Sequence, residues 1–219
     1  MRALRIDGLR QVLCLGAHSD DIEIGAGGTV LTLLAAQPDV EIHWVVFSAT
    51  GARADEARES AKRFLHGCER AHVTTFDFRD GFFPYFGAQV KEQFEALKST
   101  CSPDLILTHH RADLHQDHRL IGELTWNTFR DHLILEYEIP KYDGGLPPPN
   151  FYVTLDSDTV RRKIDILMDV FATQRSKRWF VRENFEALLR LRGLESNAEH
   201  GFAEGFHCAK ARLAPGVRR

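Results

Sequence analysis

Two short polar clusters in this 219-residue sequence have residue types suited to binding a metal: His18-Ser19-Asp20-Asp21, and His115-Gln116-Asp117-His118 with His109 and His110 just before it. Histidines and an aspartate brought together from distant segments make a three-ligand site with an open position, the arrangement by which a catalytic zinc holds water. Imidazole with carboxylate suits Zn²⁺ better than Mg²⁺ or Ca²⁺, which favour oxygen shells. Asp20 and Asp21 cannot easily both face the metal, because neighbouring side chains in an extended loop diverge. One can ligate while the other serves as base. Each cluster alone has an ordinary structural reading, since Asp, Ser and His after a strand are common helix caps. Their conjunction carries the metal reading, because each comes after an expected buried strand and each supplies a ligand plus an extra acid or base.

The elements that must position these clusters alternate between strand and helix. Residues 11–16 read as a buried parallel strand, with Val12, Leu13, Cys14 and Leu15 consecutive rather than alternating with polar residues. The polar turn that follows leads past Gly25, Gly27 and Gly28 into an apolar helix over residues 29–36. Residues 40–48 form a second strand, residues 53–66 a charged amphipathic helix ended by Gly67, and residues 71–78 a weaker third strand. A helix over residues 90–100 and a short buried strand over 104–108 lead into the histidines. A helix over 118–129, a strand over 133–138, a Gly/Pro-rich loop over 140–150, helices over 158–171 and 183–192 and a turn or strand over 201–206 complete the reading. This pattern predicts an α/β fold with a mostly parallel sheet flanked by helices, as a single domain over residues 1–219. Such sheets bind ligands beyond the C-terminal ends of their strands, which places both clusters on one edge.

Composition excludes several classes of function. With 43% hydrophobic and 27% charged residues the chain is ordinary globular material. Its 28 Lys+Arg against 31 Asp+Glu leave a net charge of -3, with no basic field to hold a nucleic acid. No apolar run approaches the ~18 residues of a membrane span, and the segment from Met1 to Asp7 lacks the apolar core of a signal peptide. Cys14, Cys68, Cys101 and Cys208 lie far apart without a CxxC pair and read as reduced thiols, which predicts a cytoplasmic protein.

The stretch Ala17-His18-Ser19-Asp20-Asp21-Ile22-Glu23-Ile24-Gly25-Ala26-Gly27-Gly28 resembles the AHPDDxExGxGG motif of the PIG-L/LmbE-like N-acetylglucosaminyl deacetylases, and His115-Gln116-Asp117-His118-Arg119 is similar to that family's HPDHR element. Ser48-Ala49-Thr50-Gly51 with Arg53 and Glu56, Pro103-Asp104-Leu105-Ile106, Arg192-Gly193 and Ala203-Glu204-Gly205-Phe206 agree as well, so the resemblance covers almost the whole chain. It implies a Rossmann-like fold and a zinc-dependent hydrolase that removes the N-acetyl (acyl) group from an amino sugar or its conjugate, a small-molecule substrate. Carried over residue by residue, it makes His18, Asp21 and His118 the zinc ligands, with another divalent transition metal as a substitute. Asp20 becomes the general base toward the metal-bound water. His115 then stabilises the developing oxyanion, and Asp117 orients and charges His115 through a hydrogen bond. Ser19 and Gln116 stand where the family has prolines; neither is a ligand, so altered loop stiffness is expected with the chemistry kept. The alternative is a sugar or sugar-nucleotide binding protein on the same fold with little or no turnover. It predicts that Asp20 or a ligand is missing, and none is.

Other residues have paired readings. Arg53 is a candidate for substrate binding, through hydroxyls or phosphate, or else a solvated charge in the first turn of a helix. Glu23 is expected to tie the metal loop to the glycine turn by hydrogen bonds. The glycines lack the full G-x-G-x-x-G of a phosphate loop and read as sites of close helix packing. The aromatic loop Phe82-Phe83-Pro84-Tyr85-Phe86 suits stacking on a sugar ring or a contact within a homo-oligomer.

Overall fold

The structure is a computed structural model and describes residues 2–212. Its elements in chain order are β1 (Gln11–His18), α1 (Asp21–Ala36), β2 (Glu41–Ser48), α2 (Ala52–Phe64), β3 (Ala71–Thr75), a 3-10 turn (Phe83–Phe86), α3 (Gly87–Thr100), β4 (Leu105–His109), α4 (Gln116–Thr128), β5 (Leu133–Tyr137), β6 (Phe151–Leu155), α5 (Ser157–Val170), a second 3-10 turn (Ala172–Gln174), α6 (Arg182–Ser196) and β7 (Phe202–His207). All seven strands form one sheet in the order β3-β2-β1-β4-β5-β7-β6. Strands β1 to β5 are parallel, and β7 runs antiparallel to both β5 and β6. The sheet is therefore mixed but mostly parallel, with helices on both faces.

Because successive strand residues face opposite sides, β1 feeds two cores. Val12 and Cys14 pack with α1, α2, α5 and α6, and Leu13 and Leu15 pack with α3 and α4. Both faces of β1 are covered, which is why its apolar residues are continuous. Burying a Leu or Val here contributes ~2 kcal/mol each, so the central strand and its C-terminal end at His18 are held by tightly packed surroundings.

The boundaries differ from the sequence expectation where polar residues sit inside regular structure. Strand β1 runs on through His18, and the polar turn is reduced to Ser19 and Asp20 before α1 begins at Asp21. The expected glycine turn is the buried first half of that helix. A Cβ on Gly25 would lie 2.2 Å from the Tyr137 ring, and one on Gly28 would lie 2.5 Å from Leu155 and 2.9 Å from Glu204, so the glycines serve close packing. Strand β6 has no counterpart in the sequence reading, and its short aromatic stretch directly follows the Pro-rich loop. Phe83 of the aromatic loop is fully buried and Phe86 packs against the α3/α4 core, leaving Phe82 and Tyr85 exposed. Among the described residues, no helix is long and apolar enough to cross a membrane.

Candidate active site

Strands β1 and β4 are adjacent and parallel, so their C-terminal ends deliver both polar clusters to one edge of the sheet. The β1–α1 connection is short and fully buried, which leaves His18 at the strand end and Asp21 in the first helical turn with little freedom. The β4–α4 connection is longer. His115 caps α4, its Nδ1 accepting the Asp117 backbone N–H at 3.2 Å, and His118 follows in the first turn.

These elements bring His18, Asp21 and His118 together. His18 Nδ1 lies 3.1 Å from His118 Nε2 and 3.3 Å from Asp21 Oδ2, and His118 Nε2 lies 3.5 Å from Asp21 Oδ1. Ligand bonds of about 2.0–2.1 Å in a tetrahedron separate neighbouring donors by about 3.3 Å, so these separations are close to those of a divalent transition-metal shell, with His18 and His118 facing different oxygens of Asp21. The donor chemistry agrees, imidazole with carboxylate. The outer atoms of the two imidazoles are also held. His118 Nδ1 faces Asp113 Oδ2 at 3.2 Å, while His18 Nε2 faces Asp117 Oδ2 at 3.2 Å and Asp80 Oδ1 at 3.1 Å, the carboxylate partners that orient ligating histidines.

Electrostatics follow from this crowding of carboxylates. Burial alone would lower His18, but the Asp21 charge and hydrogen bonds to Asp117, Asp21 and Asp80 hold it well above the usual imidazole range. For Asp21, burial is outweighed by His118, His109 and His18, which keep it well below the carboxylate range and ionised. His118 is lowered to about 3, chiefly by burial, and so is a neutral imidazole with a free lone pair. Asp20 is raised by burial and by the neighbouring Asp21 charge, an effect tempered by Arg53.

Asp20 borders a cavity of about 190 Å³ whose wall includes the metal-fitting trio, Arg53 and His115. Arg53 spans two acids, Nη2 to Asp20 Oδ1 and Nη1 to Asp80 Oδ2, each at 3.2 Å. A larger groove of about 660 Å³ between α3 and α4 is lined by Lys91, Lys98 and Arg130 among others, but no ligand-type cluster among the described residues converges on it. The smaller cavity is the candidate site because the chemistry is there.

Asp117 does not make the contact expected of it. Its carboxylate accepts the backbone N–H groups of Gly81 (2.6 Å) and Phe83 (3.1 Å) and faces His18, while only its own backbone N–H reaches His115. The reason is helical geometry, since a residue in the first turn of α4 points its side chain away from the capping residue and toward the 81–83 loop. His115 is lowered by burial and by the His18 charge, and its Nδ1 is an acceptor, so it is a neutral imidazole carrying its proton on Nε2. Glu23 also departs from expectation. Both carboxylate oxygens are buried without a hydrogen-bond partner among the described residues, and burial raises its pKa well above the usual range.

Two participants have no role in the sequence analysis. Asp80 is exposed and reaches His18 from the loop after β3, and that hydrogen bond lowers it to about 2. Asp113 holds His118 and is itself paired with Lys141 Nζ at 2.7 Å. The position of both on the C-terminal edge of the sheet was the available signal. Glu204 on β7, named in the sequence as part of a family-like segment and expected to make a structural ion pair, does make one. Its carboxylate accepts the backbone N–H groups of Gly28 and Thr29, each at 2.7 Å, and pairs with Lys163 Nζ at 2.6 Å, while Lys163 also donates to Ile24 O at 2.7 Å. In a regular helix Gly28 N–H and Ile24 C=O would bond each other. The buried pair thus grips α1 within two turns of Asp21.

The sequence family described as PIG-L, GlcNAc-PI de-N-acetylase, matches residues 13–129. The uncharacterized deacetylase YaiS of Escherichia coli strain K12 is 29% identical over 147 residues, 59% of this chain and 74% of YaiS. Among solved structures, N,N'-diacetylchitobiose deacetylase from Pyrococcus horikoshii is similar with a TM-score of 0.68 and 21% identity, over 91% of this chain and 83% of that one. GalB, the 4-carboxy-2-hydroxymuconate hydratase of Pseudomonas putida KT2440, has a TM-score of 0.72 at 18% identity, over 95% and 100% of the two chains. These structural likenesses establish the fold, on which more than one reaction is found. The sequence match is more specific, because it runs from β1 to the end of α4 and so contains both polar clusters; the chain belongs to the PIG-L family of deacetylases.

Proposed function

We propose that this chain is a zinc-dependent hydrolase that removes the N-acetyl group from a small amino sugar or its conjugate. The observation that carries the reading is the convergence of His18, Asp21 and His118 at donor separations of 3.1–3.5 Å, with Asp20 beside them in the same cavity. His18, Asp21 and His118 would hold the ion. Bound there, zinc would acidify water and polarise the amide carbonyl.

The remaining work falls to the chain's own residues. Asp20, with its pKa raised by burial, takes a proton from the attacking water as the new C–O bond forms. The carbonyl oxygen becomes an oxyanion, and His115 donates Nε2–H to it, a contact of the kind worth ~3–4 kcal/mol in a transition state. As the C–N bond breaks, Asp20 returns its proton to the departing amine, leaving acetate and the free amino sugar. Arg53 keeps Asp20 from rising further and presents its guanidinium to substrate hydroxyls. Asp117 acts as a positioning residue for His18 and the 81–83 loop, in place of the His115 contact expected of it. The cavity holds about six water volumes, which suits an acetamido group and part of one sugar ring.

The test is release of free amine and acetate from a panel of N-acetyl amino sugars, with and without chelator. Activity should vanish on chelation and return with Zn²⁺. Full turnover by the chelated protein, or by Asp20→Asn and His118→Ala variants, overturns the proposal.

A further inference from the structure

A second group of metal-ligand residues lies at the opposite end of β2. Glu41 opens the strand, His43 follows two residues later on the same face, and His72 on β3 is the direct cross-strand neighbour of His43. Side chains at i and i+2 share a face, and a third from the adjacent strand closes the triangle. His43 Nε2 lies 3.0 Å and His72 Nε2 3.3 Å from the same atom, Glu41 Oε1, and the two rings stack with centroids 4.7 Å apart. One ligand atom from each of the three residues falls within 4.8 Å of the others. The two measured separations match the ~3.3 Å between neighbouring donors around tetrahedral zinc.

Two further features favour a bound ion. Arg70 pairs with the other carboxylate oxygen, Oε2, which fixes the carboxylate with Oε1 toward the imidazoles. The His72 side chain is 56% exposed on the edge strand, so water can complete the coordination. The site is remote from the catalytic cluster. Ser48 at the catalytic edge lies seven residue steps along β2 from Glu41, roughly 23 Å at the rise of a parallel strand.

We propose that Glu41, His43 and His72 form an accessory surface site for a divalent transition metal of the Zn²⁺, Co²⁺, Ni²⁺ or Cu²⁺ class. Two imidazoles and one carboxylate select these ions over Mg²⁺ and Ca²⁺. Occupancy fastens the edge strand β3 to β2 and leaves the catalytic ligands untouched.

Equilibrium dialysis of the full chain against micromolar free Zn²⁺, followed by metal counting, tests the site. The wild type should hold one equivalent more than a His43→Gln/His72→Gln double variant, and the same difference should persist when both carry His118→Ala. The surface variant His72→Asn and the near-isosteric Glu41→Gln should each lose that equivalent while retaining the wild-type fold by circular dichroism. Zn²⁺ should also slow hydrogen exchange at residues 71–75 in the wild type and not in the double variant. Equal metal counts in wild type and double variant, or unchanged exchange at residues 71–75 on adding Zn²⁺, overturns the proposal.

Discussion

The parallel part of the molecule, β1 to β5, and the antiparallel part, β6, β7 and the helices around them, contribute to the site in different ways. The trio and its supporting acids, Asp80, Asp113 and Asp117, all come from the parallel part, at or beyond strand ends. The C-terminal part supplies the cavity rim, with Gln174, Lys177 and Trp179, and the buried Glu204–Lys163 pair that grips α1. A parallel sheet converges loops at one edge and so assembles chemistry from distant segments. The antiparallel addition covers the flank of α1 and holds its ligand-bearing turn in place.

If this division is right, the largest effects on turnover belong to the parallel part. Replacing Asp20 by Asn should lower kcat by about 10²–10⁴-fold with the fold intact, measured as acetate release by a protein whose melting curve is unchanged. Glu204→Ala should instead reduce stability, by about 3–5 kcal/mol in denaturant melts, because it strands the Lys163 ammonium in the core. A paired Lys163→Met/Glu204→Gln change should cost less than Glu204→Ala. A Glu204→Ala protein with native stability but with kcat reduced as far as in Asp20→Asn would break the division between chemistry and anchoring.

Smaller effects sharpen it. Asp113→Asn should weaken metal affinity or activity by about 10–100-fold, since the carboxylate orients His118. It should also change the acid limb of stability in the metal-free protein. Burial would raise Asp113, but His118 and Lys141 hold it well below the usual carboxylate range. Its stabilisation is therefore fully present above about pH 4 and is lost as pH falls through the lower folded value. Urea melts between pH 5 and pH 2 should show a shallower pH slope for Asp113→Asn than for the wild type. The smallest change is expected from Lys177→Ala on the rim, a KM raised a few-fold with kcat unchanged.

Much of this was legible from the residues. Continuous apolar runs in β1 and β4 mark buried parallel strands, and the rule about their C-terminal ends places His18 and His118 on one edge. The Asp117 carboxylate was not legible, because its partners are backbone N–H groups of residues 81 and 83, which no spacing rule relates to it. Strand β6 escaped because a half-buried five-residue edge strand has too little period to read. The start of α1 escaped for a related reason. Asp21, Glu23 and three glycines look like a loop until the surrounding sheet and helices bury them.

By itself the sequence determined most of the element types, the residue types of the two clusters and the edge on which they meet, because these depend on local patterning and on the handed, regular connectivity of parallel sheets. Tertiary structure alone decided which atom faces which: the 3.1–3.5 Å spacing of the trio, the choice of Asp113, Asp117 and Asp80 as partners for its imidazoles, and the hydrogen bonding of Glu204 to the backbone of α1. Those choices are made by packing between segments up to 176 residues apart, where burial and the demand that buried polar groups find partners outweigh any local preference.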